Sequence, residues 1–115
     1  MATIKSYTDI EQSKKLAEIL PLESADMSWV SCDDGKQKYY QAENRKIILN
    51  YEKNHWLPCW SLAALLDVLP NENMLVKTSN SEYYCIAKDV MTKHYNNPVD
   101  ACYELILKLH ELNLL

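Results

Sequence analysis

Residues 56–70 read Trp56-Leu57-Pro58-Cys59-Trp60-Ser61-Leu62-Ala63-Ala64-Leu65-Leu66-Asp67-Val68-Leu69-Pro70. The leucines of this stretch recur at i, i+3, i+4 and i+7, which places them on one face of a helix. Pro70 ends that helix, because the residue before a proline disfavours the helical conformation. Ser61 is the predicted N-cap, and Pro58 as a first-turn residue is the alternative start. The stretch therefore predicts a short amphipathic helix, preceded by large apolar side chains that supply much of the core.

Two further helices are predicted, one near each end of the chain. Residues 8–11 have the pattern of a capping box, in which Thr8 caps the helix and Glu11 reaches back to it. A first helix is therefore expected over residues 9–20. Asn97 followed by Pro98 favours the start of a last helix over residues 98–112. The apolar stripe of this last helix is wide enough for burial on two sides, either within its own chain or against a second copy as a homodimer.

The segments between the helices have strand-like patterns. Residues 27–32 and 36–41 flank Asp33-Asp34-Gly35, and an Asp-Gly pair in that position is typical of a hairpin with Gly35 at positive φ. Residues 74–78 and 82–87 predict a second hairpin around residues 79–81. Residues 47–51 predict another strand, because they are rich in β-branched and aromatic side chains. Residues 89–95 are either a further short strand or an irregular link.

The order of these elements predicts the fold class. Helix, two strands, strand, helix, two strands and helix indicate an α+β protein. We expect an antiparallel sheet of about four to six short strands with three helices packed largely on one face. A chain of 115 residues is expected to form a single domain. Residues 1–7 are interpreted as a short flexible lead-in.

Charge and composition disfavour several classes of partner. The net charge is −4 and Arg45 is the only arginine, which argues against binding to a nucleic-acid backbone. An acidic protein of this kind suits a basic protein partner. The sequence lacks a secretory signal pattern and an apolar run of transmembrane length, so no membrane partner and a cytoplasmic location are predicted.

The residues that usually carry cofactor chemistry are scattered. Four cysteines have no C-x-x-C pair among them, and they are interpreted as free thiols, with two disulfides as the alternative. These cysteines are Cys32, Cys59, Cys85 and Cys102. The three histidines lack the spacing of a metal motif, and one glycine excludes phosphate-binding and dinucleotide-binding loops. No metal and no cofactor is therefore predicted, and a non-enzymatic protein is favoured over an enzyme.

One pattern supports an enzymatic alternative. A cysteine followed by tryptophan at a helix start is similar to papain-like cysteine hydrolases, in which a helix N-terminus favours the reactive thiolate. Cys59 would be the nucleophile, His94 the base, and Asn96 or Asn97 the group that orients it. The surroundings of Cys59 lack the small residues that an exposed nucleophile needs, and free cysteines are usually buried. We therefore interpret Cys59 as a core residue and keep a small cysteine hydrolase as the alternative.

The aromatic residues suggest a contact surface. The chain has eight tyrosines, three tryptophans and no phenylalanine, and tyrosine combines an apolar ring with a polar end. One interpretation places these side chains at an interaction surface, and the other places tyrosines on half-exposed strands in the role of phenylalanine. The candidate surface residues are Trp56, Trp60, Tyr39 and Tyr83.

Three segments of the chain carry a resemblance: residues 23–27, residues 58–70 and residues 97–101. They resemble a group of small uncharacterised proteins from prophages and other mobile elements of gut bacteria, with an x-Trp-Ser-Leu-x-x-Leu-Leu-x-x-Leu-Pro helix as the central motif. In that group a small residue other than cysteine often stands at the position of Cys59. The resemblance implies an accessory role and carries over no activity, cofactor or catalytic residue. The leading hypothesis is a non-enzymatic, intracellular protein-interaction or accessory module of a mobile element or prophage.

Overall fold

The computed structural model describes residues 5–33, 35, 38–43 and 56–115. This part of the chain contains three α-helices, a short 3-10 helix and six strands. The helices are α1 (Ile10–Ile19), α2 (Leu62–Val68) and α3 (Pro98–Glu111), with the 3-10 helix at Leu22–Ser24. The strands are β1 (Met27–Asp33), β2 (Lys38–Glu43), β3 (Trp56–Cys59), β4 (Met74–Lys77), β5 (Tyr83–Ala87) and β6 (Val90–Met91). The α+β class is confirmed, but the strands form two three-stranded antiparallel sheets where one was predicted.

The first sheet has the order β2-β1-β3, with β1 in the centre. The β1–β2 hairpin is as expected and Gly35 has a φ of +86°. The described part of the second strand starts at Lys38, which pairs with Asp33, and ends at Glu43, two residues beyond the predicted end. β3 was not predicted as a strand, and it pairs with β1 so that Cys59 lies opposite Met27. Among the described strands β3 lies at the edge of this sheet, a position with which Pro58 is compatible. The strand predicted over residues 47–51 lies outside the described residues.

The second sheet has the order β4-β5-β6, with β5 in the centre. The predicted hairpin between β4 and β5 is confirmed, and Lys77 pairs with Tyr83 at its loop end. β6 returns along β5 after a two-residue turn in which Lys88 and Asp89 both have positive φ. Of the two interpretations of residues 89–95, a short strand is therefore the correct one for its first part.

The helix caps are local features that the sequence predicts well, with one exception. Ser61 caps α2 by accepting a hydrogen bond from the backbone of Ala64, and Asn97 caps α3 ahead of Pro98. The capping box of α1 is formed by Asp9 and Gln12, so the predicted box of Thr8 and Glu11 is wrong by one residue. Thr8 is fully buried, and its hydroxyl instead forms hydrogen bonds with Ser13 and with the backbone of Trp60.

A different helix packs against each of the two sheets. α1 packs against β3 of the first sheet, while α3 packs against the second sheet and against α2. The predicted packing of three helices on one face of a single sheet is therefore not confirmed. The hydrophobic core lies where the helices meet, and Trp60, Leu16 and Leu65 are fully buried there.

The wide stripe of α3 is covered within the chain. Its buried residues are Pro98, Val99, Ala101, Cys102, Leu105, Ile106 and Leu109. They face the second sheet and α2, so the stripe that suggested a homodimer through helix 98–112 serves the core. The start of α3 is also tied to the N-terminal segment, because Asp100 accepts hydrogen bonds from Lys5 and Gln12, each at 2.7 Å.

Residues 6 and 7, assigned by the sequence to the flexible lead-in, are paired with the start of α2 and the residue before it. Tyr7 forms a β-bridge with Ser61, and the backbone N–H of Leu62 donates to the carbonyl of Ser6 at 3.1 Å. Residues 1–4 lie outside the described residues.

Candidate interaction surface

Cys59 is a core residue in the structure. Its side chain is fully buried at the end of β3, where the thiol donates to the carbonyl of Thr8 at 3.5 Å and lies 3.8 Å from the Thr8 hydroxyl. Burial raises the pKa of this thiol from 9.0 to about 11, although the Thr8 and Ser13 hydroxyls oppose the shift. The group is therefore a neutral thiol at physiological pH, whereas a cysteine nucleophile needs the thiolate.

His94 has a different environment. Its ring stacks on Tyr84 with the ring centroids 5.0 Å apart and an interplanar angle of 16°, and its Nδ1 lies 3.8 Å from a carboxylate oxygen of Glu82. These contacts belong to the second sheet, whereas Cys59 belongs to the first. Among the described residues no hydrogen bond joins Cys59 to His94, the two residues of the hydrolase alternative, and Cys59 instead exchanges hydrogen bonds with Thr8. The described residues also contain no group of three His, Cys, Asp or Glu side chains that could hold a metal ion.

The four candidate surface residues have different outcomes. Trp60 is fully buried and its indole N–H donates to the Ser24 hydroxyl at 2.9 Å, so it is a core residue and offers no contact surface. Tyr83 is half-buried and packs against the core, with the Lys77 ammonium 6.0 Å from its ring centroid. The side chains of Trp56 and Tyr39 lie outside the described part of the structure.

The second sheet instead has an apolar outer face. Cys85 and Ala87 of β5 are buried, and Leu75 opposite Cys85 and Val90 opposite Ala87 also pack against the core. Because side chains alternate along a strand and paired residues share a face, the residues between them point the other way. We call this set the outer face; it consists of Met74, Val76, Tyr84, Ile86 and Met91.

Within the described part of the chain the outer face is partly open to solvent: Val76, Tyr84 and Ile86 are half-buried, and the two methionines are exposed. Met74 and Met91 flank Ile86 across the three strands, and their side chains are 56% and 57% exposed. No described helix packs there, because α3 occupies the opposite side of the sheet. A contiguous apolar patch on a sheet face, with two exposed methionines, is typical of an interaction site.

Charged side chains border the outer face at both ends of β5. Glu82 lies at the end where β5 begins, and Lys88 and Asp89 form the turn at the other end. His94 joins the first end through its contacts with Tyr84 and Glu82. Lys77 pairs with Tyr83 and therefore belongs to the inner face. The border of the outer face thus has an acidic side chain at one end and a lysine next to an aspartate at the other.

A signal for this surface was present in the sequence. In residues 74–77 and 83–87 apolar side chains occupy both faces of the predicted hairpin, whereas a sheet with one solvated face usually shows polar residues on that side. The composition indicates that tyrosines contribute to a contact surface. Whether Tyr83 or Tyr84 lies on the exposed face depends on which face of the sheet α3 covers.

Comparisons of the chain with protein-family models, with curated proteins and with solved structures found no match. Within the described residues, no helix has both the length and the apolar character needed to cross a bilayer.

Proposed function

We propose that this protein is a non-enzymatic protein-interaction module that binds a second copy of itself through the outer face of the second sheet. The observation that carries the proposal is the exposure of Met74 and Met91 on either side of Ile86. Burial of a large apolar side chain contributes about 1.5–3 kcal/mol, so covering this face stabilises a complex.

The chemistry of the outer face favours a protein partner. Binding to nucleic acid depends on clustered lysine and arginine side chains, and here Lys88 at the border is followed by Asp89. Methionine adapts its shape to a partner, and tyrosine is enriched at interfaces. The face therefore suits another apolar protein surface with few charges.

The distribution of charge favours a second copy as that partner. A two-fold axis places the same patch of both copies in contact. If the β5 strands run in opposite directions, the Glu82 end of one copy meets the Lys88–Asp89 end of the other. Lys88 of each copy then has Glu82 of the second copy within its new surroundings, and the acidic remainder of the chain stays outside the contact.

The cellular setting belongs to the same proposal. The resemblance in residues 58–70 supports an accessory role for a prophage or mobile element, and a cytoplasmic location follows from that role. The state of the described cysteines is compatible with a reducing compartment, because Cys59, Cys85 and Cys102 are free thiols.

The test is the mass of the protein in solution as a function of concentration. The face consists of five residues, against about 20–30 a side in a standard interface, so we expect a weak dimer that forms between micromolar and millimolar protein. Light scattering coupled to size exclusion, with sedimentation equilibrium for the dissociation constant, measures this transition. Met91→Lys removes one apolar contact on each copy and should raise the dissociation constant by about 100-fold.

Leu22→Lys is the matched control, because Leu22 is 49% exposed but lies in the 3-10 helix, away from the second sheet. This variant should dimerise like the original protein. A protein that stays monomeric at millimolar concentration, or a dimer that Leu22→Lys weakens as much as Met91→Lys does, would refute self-association through the outer face.

A further inference from the structure

Two buried thiols face each other on the inner side of the second sheet. The Sγ atoms of Cys85 in β5 and Cys102 in α3 are 4.0 Å apart, and both side chains are fully buried. Cys59 is equally buried, but its partners are hydroxyl and carbonyl groups of Thr8. Among the described cysteines, one pair therefore lies close enough to react after a small movement.

We propose that Cys85 and Cys102 form an oxidation site, at which hydrogen peroxide converts the two thiols into a disulfide that joins β5 to α3. Peroxide suits the site because it is small and uncharged, and a bulky disulfide oxidant such as glutathione disulfide does not fit between a strand and the helix packed on it. The inference does not depend on the outer face, which lies on the opposite side of the sheet.

The reaction proceeds in two balanced steps. In the first, the sulfur of Cys85 attacks one oxygen of peroxide, the O–O bond breaks, and the hydroxide that leaves takes the thiol proton to become water. The product at Cys85 is a sulfenic acid. In the second, the sulfur of Cys102 attacks the sulfenic sulfur, the S–O bond breaks, and the departing hydroxide takes the proton of Cys102. Two thiols and one peroxide thus give one disulfide and two waters.

The position of Cys85 favours it as the attacking group. Its backbone is held by Thr92 next to β6, so opening of β6 exposes Cys85 before Cys102. The two thiols share a hydrogen bond in which either sulfur can be the donor. With Cys102 as the donor, this bond lowers the pKa of Cys85 and raises that of Cys102. Reactivity toward peroxide follows thiolate character.

Access to the pair depends on local opening of β6. This strand has two residues and begins after a turn with two positive φ angles. Thr92 fastens the segment to Cys85, because its hydroxyl accepts from the backbone N–H of Cys85 and its own N–H donates to the carbonyl of Cys85, each at 3.0 Å. Short edge elements of this kind open more often than the whole protein unfolds, so we expect slow oxidation at a rate that β6 controls.

The experiment is peptide mapping of the full-length protein after treatment with hydrogen peroxide. Free thiols are blocked in denaturant, the protein is digested, and the peptides are identified by mass spectrometry. We expect a peptide pair that links Cys85 to Cys102, with a mass lower by two hydrogen atoms than the sum of the two reduced peptides. The link should disappear after treatment with a thiol reductant, while Cys59 should be recovered as the blocked thiol.

Two variants sharpen the test. Cys59→Ser should form the link at the rate of the original protein, which controls for a general effect of removing a buried thiol. Thr92→Val removes the hydroxyl that holds Cys85 and should accelerate the link by about tenfold, because one buried hydrogen bond no longer opposes opening. Both measurements use proteins that retain the two reacting cysteines.

The original protein decides the outcome without any variant. Recovery of Cys85 and Cys102 as blocked thiols after prolonged exposure to peroxide would overturn the proposal. It would also be overturned by a map in which these residues are sulfinic or sulfonic acids with no linked peptide.

Discussion

The interior contact of Thr8 provides the sharpest test of how this chain holds its N-terminal segment. Thr8 precedes α1 and is fully buried, as are Ser13 and Trp60. Its hydroxyl lies 2.8 Å from the Ser13 hydroxyl and accepts a hydrogen bond from the backbone N–H of Trp60 at 3.2 Å. Thr8→Val keeps the shape of the side chain but removes this hydroxyl.

The expected cost follows from the partners that are left behind. A buried N–H without an acceptor costs about 1–3 kcal/mol, and the Ser13 hydroxyl loses a further hydrogen bond of about 1 kcal/mol. We therefore expect Thr8→Val to lower the free energy of unfolding by about 3 kcal/mol. Thr8→Ser keeps the hydroxyl and removes one methyl group, which should cost about 1 kcal/mol. For a domain of this size the two changes correspond to losses in Tm of about 12 °C and about 4 °C.

The assay is urea unfolding, followed by circular dichroism and by tryptophan fluorescence at a fixed low-micromolar protein concentration, where the expected dimer is dissociated. An unchanged m-value with a lower midpoint identifies a loss of stability. The double variant with Ser13→Ala measures the coupling between the two hydroxyls, which we expect to be about 1 kcal/mol. If Thr8→Val costs no more than Thr8→Ser, then the hydroxyl contributes nothing and the reasoning fails.

The remaining predictions concern two ionisable groups. Native Cys59 should react with iodoacetamide at pH 8 far more slowly than it does in denaturant, because its pKa is about 11 in the folded protein. Because the pKa of Cys59 is raised on folding, this thiol stabilises the folded protein at pH values below 9.0, and the stabilisation is lost as the pH rises through about 11. The free energy of unfolding of the original protein should therefore fall relative to that of Cys59→Ala between pH 9.0 and about 11. Burial opposes ionisation of Asp100, but hydrogen bonds from Lys5, Gln12 and Asn97 outweigh it and lower the pKa of Asp100 below its usual 3.8. Asp100→Asn should consequently be less stable than the original protein at pH 7. The urea midpoints of the two proteins should converge as the pH falls below 3.8, because protonation of Asp100 removes the stabilisation. A difference in midpoint that persists in acid would contradict the role given to the Asp100 carboxylate.

The local elements of this protein were determined by its sequence. The periodic leucines between Ser61 and Pro70 predict α2, and Asn97 with Pro98 predicts the start of α3, because caps and periodicity depend on residues within a few positions of one another. The two hairpins follow from strand-like runs around short turns. The sequence also favours a core position for Cys59, since nothing near it provides the small residues that an exposed nucleophile requires.

The arrangement of these elements was decided by the tertiary structure. β3 forms a strand because it pairs with β1, which begins at Met27, more than thirty residues before Cys59. No local sequence pattern predicts that pairing. Asp9 caps α1 in place of Thr8. The Thr8 hydroxyl instead accepts a hydrogen bond from the buried backbone N–H of Trp60. The outer face follows the same principle, since the residues of a strand alternate regardless of context, but only the position of α3 determines which half of them is buried and which half is left for a partner.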